Sequence, residues 1–121
     1  MSDTHHTLGE ARAAWRASVV EEVLWPAQRI CDAHHHLWDY VDDRYLAADL
    51  AADIRDGHHI VETVYVECES GYRKSGSPEM APVGETEFVV AQEAELAAMV
   101  DRPVITGIIG FGKNTGSVLA L

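Results

Sequence analysis

Asp32, His34 and His36 occupy alternate positions in the run Cys31-Asp32-Ala33-His34-His35-His36-Leu37-Trp38-Asp39. On an extended strand, side chains two apart leave the same face. Two imidazoles at that spacing can converge on one cation, and neutral imidazole nitrogen is a good ligand for zinc and similar divalent ions. By the same alternation Cys31, Ala33 and His35 point the other way, so His35 is expected to pack or to support a ligand. A His-x-His pair alone also fits a surface histidine cluster at a loop entrance. Its setting favours the metal, because the pair closes a first strand with an aspartate just upstream. His5-His6 and His58-His59 lack that setting and read as a disordered tail and a solvent-facing turn.

Four more residues are candidates for substrate contact. Trp38 follows the histidines and could wall a pocket or pack at its rim. Tyr72 and Arg73 lie in a long loop after the second strand, and long loops at the active end of a barrel often bind. Arg73 could hold a substrate carboxylate by a bidentate contact, or be an exposed charge. Glu85, with Glu87, opens a helix, where glutamate can also act as a partner of the helix dipole.

The elements that must position these groups follow from periodicity. Leu8, Ala11, Trp15, Val19 and Val23 recur at helical spacing over residues 7–24, ahead of Pro26. Residues 1–28 are therefore read as an N-terminal helical extension packed on the outside of a domain spanning 29–121. Within that domain, residues 29–34 read as a strand and 45–56 as a helix stopped by Gly57. Residues 60–68 are rich in β-branched and aromatic types and read as a second strand. A loop over 69–84 leads to a helix at 85–100, whose expected apolar face is Phe88, Val89, Ala91, Leu96, Met99 and Val100. A third strand covers 103–111, and 112–121 reads as a loop with the first turn of another helix.

The order β-α-β-α-β implies right-handed crossovers and a parallel sheet. A doubly wound nucleotide fold would place a glycine-rich turn after the first strand. Histidines stand there instead, which favours the first part, about three β/α units, of a (β/α)8 TIM barrel. Such barrels need roughly 250 residues and carry their active sites at the C-terminal ends of the strands. At 121 residues the chain is expected to be an incomplete barrel with an open sheet edge.

The chain is 47% hydrophobic, with a formal net charge of −11. That charge disfavours nucleic acid and anionic membranes as partners. No apolar run approaches the roughly 20 residues of a membrane span, and the N-terminus lacks a basic region followed by an apolar core, so the cytoplasm is expected. Cys31 and Cys68 sit at the edges of strand-like runs and are expected to be small buried thiols.

Asp32-Ala-His-His-His-Leu-Trp-Asp39 resembles the first-strand signature of the amidohydrolase superfamily, and is most similar to its amidohydrolase-related (amidohydrolase 2) branch of sugar lactonases and dicarboxylate-lactone hydrolases. Glu21-Glu-Val-Leu-Trp-Pro26, Tyr45-Leu-Ala-Ala-Asp-Leu-Ala-Ala-Asp53, Thr63-Val-Tyr-Val-Glu-Cys68 and Pro82-Val-Gly-Glu-Thr-Glu-Phe88 extend the resemblance over roughly residues 10 to 112. The resemblance implies a hydrolase acting on a small molecule, a lactone or similar ester, with His34 and His36 as two ligands of a divalent metal, zinc first. It places further histidines, and the aspartate that serves as general base, on later strands beyond Leu121. Several lactonase relatives keep the histidines and work without a tightly bound metal. The resemblance also allows a barrel decarboxylase, an inactive truncated product, and homo-oligomers of the full-length protein.

Overall fold

The computed structural model describes residues 3–112 and 119–120, with side chains described for 10–112. In chain order the elements are helix α1 (Asp3–Ser18), strands β1 (Arg29–His35), β2 (Trp38–Tyr40) and β3 (Asp43–Tyr45), helix α2 (Ala47–Ile54), strand β4 (His59–Val66), a 3-10 turn (Pro78–Met80), helix α3 (Val83–Val100), and strands β5 (Ile105–Gly110) and β6 (Leu119–Ala120). The main sheet has the order β1-β4-β5-β6. Its first three strands are parallel, and β6 runs antiparallel to β5. The fold is thus α/β, built on a small parallel sheet.

Helices α2 and α3 share one core with the sheet. Leu50, Ala51 and Ile54 from α2 meet Tyr65, Val89, Leu96, Val104 and Ile105. The buried stripe of α3 is Glu85, Val89, Gln92 and Leu96, at spacings of four, three and four. Two of these four are polar because each holds a neighbouring element. Gln92 Oε1 accepts the Ala47 N–H at 2.8 Å, which satisfies a free amide at the start of α2. Glu93, next to it, accepts the Val104 and Ile105 N–H groups and ties α3 to the start of β5. Arg102 donates to the carbonyls of Ile60 and Val61, joining the end of α3 to β4. Ala91 and Met99, expected on the buried face, are exposed.

Several further expectations are corrected. Helix α1 stops at Ser18, whose Oγ donates to the Trp15 carbonyl at 2.6 Å. The β-branched pair Val19-Val20 follows, which disfavours continuation. Its side chains from Glu10 to Ser18 are exposed, Trp15 at 70%, so the helix does not pack on the domain through them. Contact comes instead from the segment after it, where Val23 lies against Gly57. His5 and His6 fall inside α1 rather than in a tail, and His59 opens β4 rather than a turn. Cys31 is exposed and Cys68 half-buried, both as free thiols. The β2–β3 hairpin, with Trp38 opposite Tyr45, was not anticipated. The helical turn expected near the C-terminus falls on residues 113–118 and 121, outside those described, while 119–120 form a strand. Among the described residues no helix is long and apolar enough to cross a membrane.

Candidate metal centre

β1 carries the histidines, and its pairing with β4 decides where they point. Arg29 and Ile30 lie opposite His59 and Ile60, but Cys31 lies opposite Glu62, Asp32 opposite Thr63 and His35 opposite Tyr65. Between the last two pairs, Ala33 and His34 together face the single residue Val64. Such a bulge breaks the two-residue alternation of a strand. Asp32 and His35 consequently stand in register with Thr63 and Tyr65, two fully buried residues. The sequence-based parity is therefore corrected: Asp32 sides with His35, and only His34 and His36 share the other face.

His35 supports the strand pair. It is 9% exposed, and its Nε2 lies 2.9 Å from Thr63 Oγ1. Its ring meets the Tyr65 ring edge-on at 5.7 Å. Burial lowers its pKa, against the opposing pull of Asp32. Asp32 Oδ1 accepts the His34 N–H at 3.2 Å, which braces the bulge from the other side of the strand.

His34 and His36 converge. Their Nε2 atoms are 3.2 Å apart, and their rings lie nearly perpendicular with centroids at 4.9 Å. His36 Nδ1 lies 2.7 Å from the Val66 carbonyl oxygen. A carbonyl only accepts, so Nδ1 carries a proton, and the neutral form of the ring has its lone pair at Nε2. Metal-ligating histidines commonly donate their second nitrogen to a carbonyl or carboxylate in this way. Two ligands of a tetrahedral zinc, at bonds of about 2.0–2.1 Å, stand about 3.3 Å apart, close to the separation seen. The distance equally suits a hydrogen bond in which His34 Nε2–H donates to His36 Nε2. Among the described residues no third His, Cys, Asp or Glu completes a group of three donors.

The four candidates for substrate contact are engaged with other partners. Trp38 is half-buried in β2 and packs on Tyr45 with ring centroids at 5.7 Å. Arg73 pairs with Glu87 on the surface, and its backbone N–H donates to the Ala81 carbonyl. Tyr72 is half-buried, and burial together with the charge of Glu85 raises its hydroxyl pKa. Glu85 is only 3% exposed, and its Oε1 accepts from the Tyr65 hydroxyl and from the Cys68 and Ser70 N–H groups. Among the described residues none of the four is hydrogen-bonded to His34 or His36. A cleft of about 520 Å³ opens elsewhere, at the N-terminal ends of the strands between Arg29, His59, Glu62 and Arg102, and holds none of the candidates.

Sequence reading missed Tyr65, which touches both His35 and His36 edge-on. A tyrosine inside a strand that reads as buried needs a partner for its hydroxyl, and that requirement was the available signal. Burial, with hydrogen bonds to Cys68 and Glu85, pushes the Tyr65 phenol well above its ordinary range; burial and Asp53 do the same for Tyr45. The folded chain thus keeps these protons where the unfolded chain loses them. With more protons bound in the folded state, stability falls as pH rises through the unfolded tyrosine pKa of about 10. Urea unfolding between about pH 8 and about pH 11 should show that loss, and Tyr65→Phe should flatten it. An equally steep loss in the variant would contradict the assignment to Tyr65.

Compared with protein-family models, curated proteins and solved structures, the chain finds no match. The functional reading therefore rests on the local geometry of β1 and β4.

Proposed function

We propose that the chain is the metal-binding portion of an amidohydrolase-related enzyme, a (β/α)8-type hydrolase that opens a lactone or similar ester. The observation that carries the reading is the convergence of the His34 and His36 Nε2 atoms at 3.2 Å, with the His36 tautomer set by the Val66 carbonyl. The parallel order β1-β4-β5, with both helices sharing one core against it, supports the barrel reading. On the other face Cys31, Ala33, His34 and Glu62 are exposed, which suits a barrel interior awaiting further strands.

His34 and His36 would hold the cation, zinc by the chemistry of the donors. When bound, such an ion acidifies water and polarises a carbonyl. The chain's own contribution is orientation. The Val66 carbonyl holds the His36 ring with its Nε2 lone pair outward, and the two-residue spacing brings His34 beside it. His35 and Thr63 lock the strand from behind. In this reading Arg73 would exchange Glu87 for a substrate carboxylate.

The test supplies zinc to the chain joined to the later strands that this reading requires, and offers lactones and aromatic carboxylates in parallel. Lactone opening that disappears in His34→Ala/His36→Ala is the expected result. Carbon dioxide release without lactone opening would replace the hydrolase reading with decarboxylation, and no turnover of either class would fit an inactive product.

A further inference from the structure

We infer that Glu85 is a positioning residue for the cation pair, holding the end of β4 whose Val66 carbonyl fixes the His36 ring; this rests on the cation reading of His34 and His36. One carboxylate oxygen does the holding. Glu85 Oε1 accepts the Tyr65 hydroxyl at 2.7 Å, the Cys68 N–H at 2.8 Å and the Ser70 N–H at 3.0 Å. Tyr65 and Cys68 flank Val66, so the grip falls on both sides of the carbonyl that receives His36 Nδ1–H. The Tyr65 ring, 0% exposed, stands edge-on to His36 at 6.5 Å and to His35 at 5.7 Å. Anchoring its hydroxyl therefore also restrains the ring behind both histidines.

The backbone is shaped for this carboxylate. Glu69, between Cys68 and Ser70, has φ 62°, in the left-handed region. A left-handed residue there turns the flanking N–H groups toward a common point, a nest that suits an anion. Glu85 fills the nest from the first turn of α3. Its burial separates this role from substrate binding, because a side chain 3% exposed and triply engaged at one oxygen offers a substrate little. Oε2 is also shut from solvent and has no hydrogen-bond partner among the described residues, so the grip depends on Oε1 alone.

Zinc titration calorimetry tests the inference on the full chain, taking as signal the binding that disappears in His34→Ala/His36→Ala. Glu85→Ala should weaken that binding by about tenfold or more, the range seen when partners behind metal ligands are removed. Glu85→Gln keeps an acceptor oxygen and should bind close to the wild type. Tyr65→Phe, which keeps the ring and loses the hydroxyl, should show a smaller loss and guards against Glu85→Ala failing to fold. Leu96→Ala, a core change about three turns along α3 from Glu85, should lower stability and leave zinc affinity unchanged. Undiminished binding by both Glu85→Ala and Tyr65→Phe would overturn the inference, as would an equal loss in Leu96→Ala. Absence of binding in the wild type would instead sink the cation reading itself.

Discussion

Replacing His36 with alanine should weaken zinc binding by more than about a hundredfold, since even partners behind a ligand cost 10–100-fold when removed. His36 is the more firmly held of the two imidazoles, half-buried and bonded through Nδ1 to Val66, whereas His34 is exposed and held by its backbone and its neighbour. His34→Ala should therefore cost less than His36→Ala. His35→Ala separates binding from folding. It deletes a buried ring and its hydrogen bond to Thr63, so it should lower stability by about 1–3 kcal/mol, with the His34–His36 pair still formed. Calorimetric titration with zinc and urea unfolding of the three variants would establish the order. Stronger loss of zinc in His35→Ala than in His36→Ala would contradict the assignment made from the bulge.

Gly84→Ala should destabilise the fold by about 1–3 kcal/mol through overpacking. A Cβ at this buried position would stand 2.5 Å from Arg73 N and 2.5 Å from Gly71 O. Both are backbone atoms, so the loop would have to shift off α3. That loop carries Tyr72 and Arg73, and its Gly71, at φ 73°, packs against Phe88. Loss of stability should thus come with release of the loop, seen as faster amide exchange at residues 70–74. Gly107→Ala provides the contrast, because its nearest contacts, the Val64 methyls, would lie at 3.5 Å, an ordinary van der Waals distance. Equal unfolding midpoints for Gly84→Ala and the wild type would contradict the close docking of loop on helix.

The strands and helices around the core were legible because burial imposes periodicity on them. β4, α3 and β5 lie within about two residues of their sequence-read bounds, the usual uncertainty of element ends. The hairpin at Trp38–Tyr45 was not, since its strands have three residues each and the turn at Val41-Asp42 lacks the glycine or asparagine that marks tight hairpins. α1 shows the opposite failure. Its apolar spacing promised a packed face, yet Ala11, Trp15 and Val19 are exposed.

The histidine site was half legible. Types and spacing singled out His34 and His36, and their Nε2 atoms lie 3.2 Å apart. Register could not be read from one strand alone, because the bulge depends on how β1 pairs with β4; Asp32 was therefore placed with the wrong partners. Glu85 illustrates a different limit. A glutamate at a helix start reads as a dipole partner or a ligand contact, and only tertiary packing shows it seated against Tyr65, Cys68 and Ser70.

The most direct test of the cation pair is a long-range proton–nitrogen correlation spectrum of the histidine rings, recorded as zinc is added. Without zinc, His36 should appear with its proton on Nδ1, as the Val66 contact requires. On addition, the Nε2 resonances of His34 and His36 should move together, with His35 unchanged. A His36 ring protonated at Nε2 alone, or zinc that moves other histidines and leaves His34 and His36 in place, would contradict it.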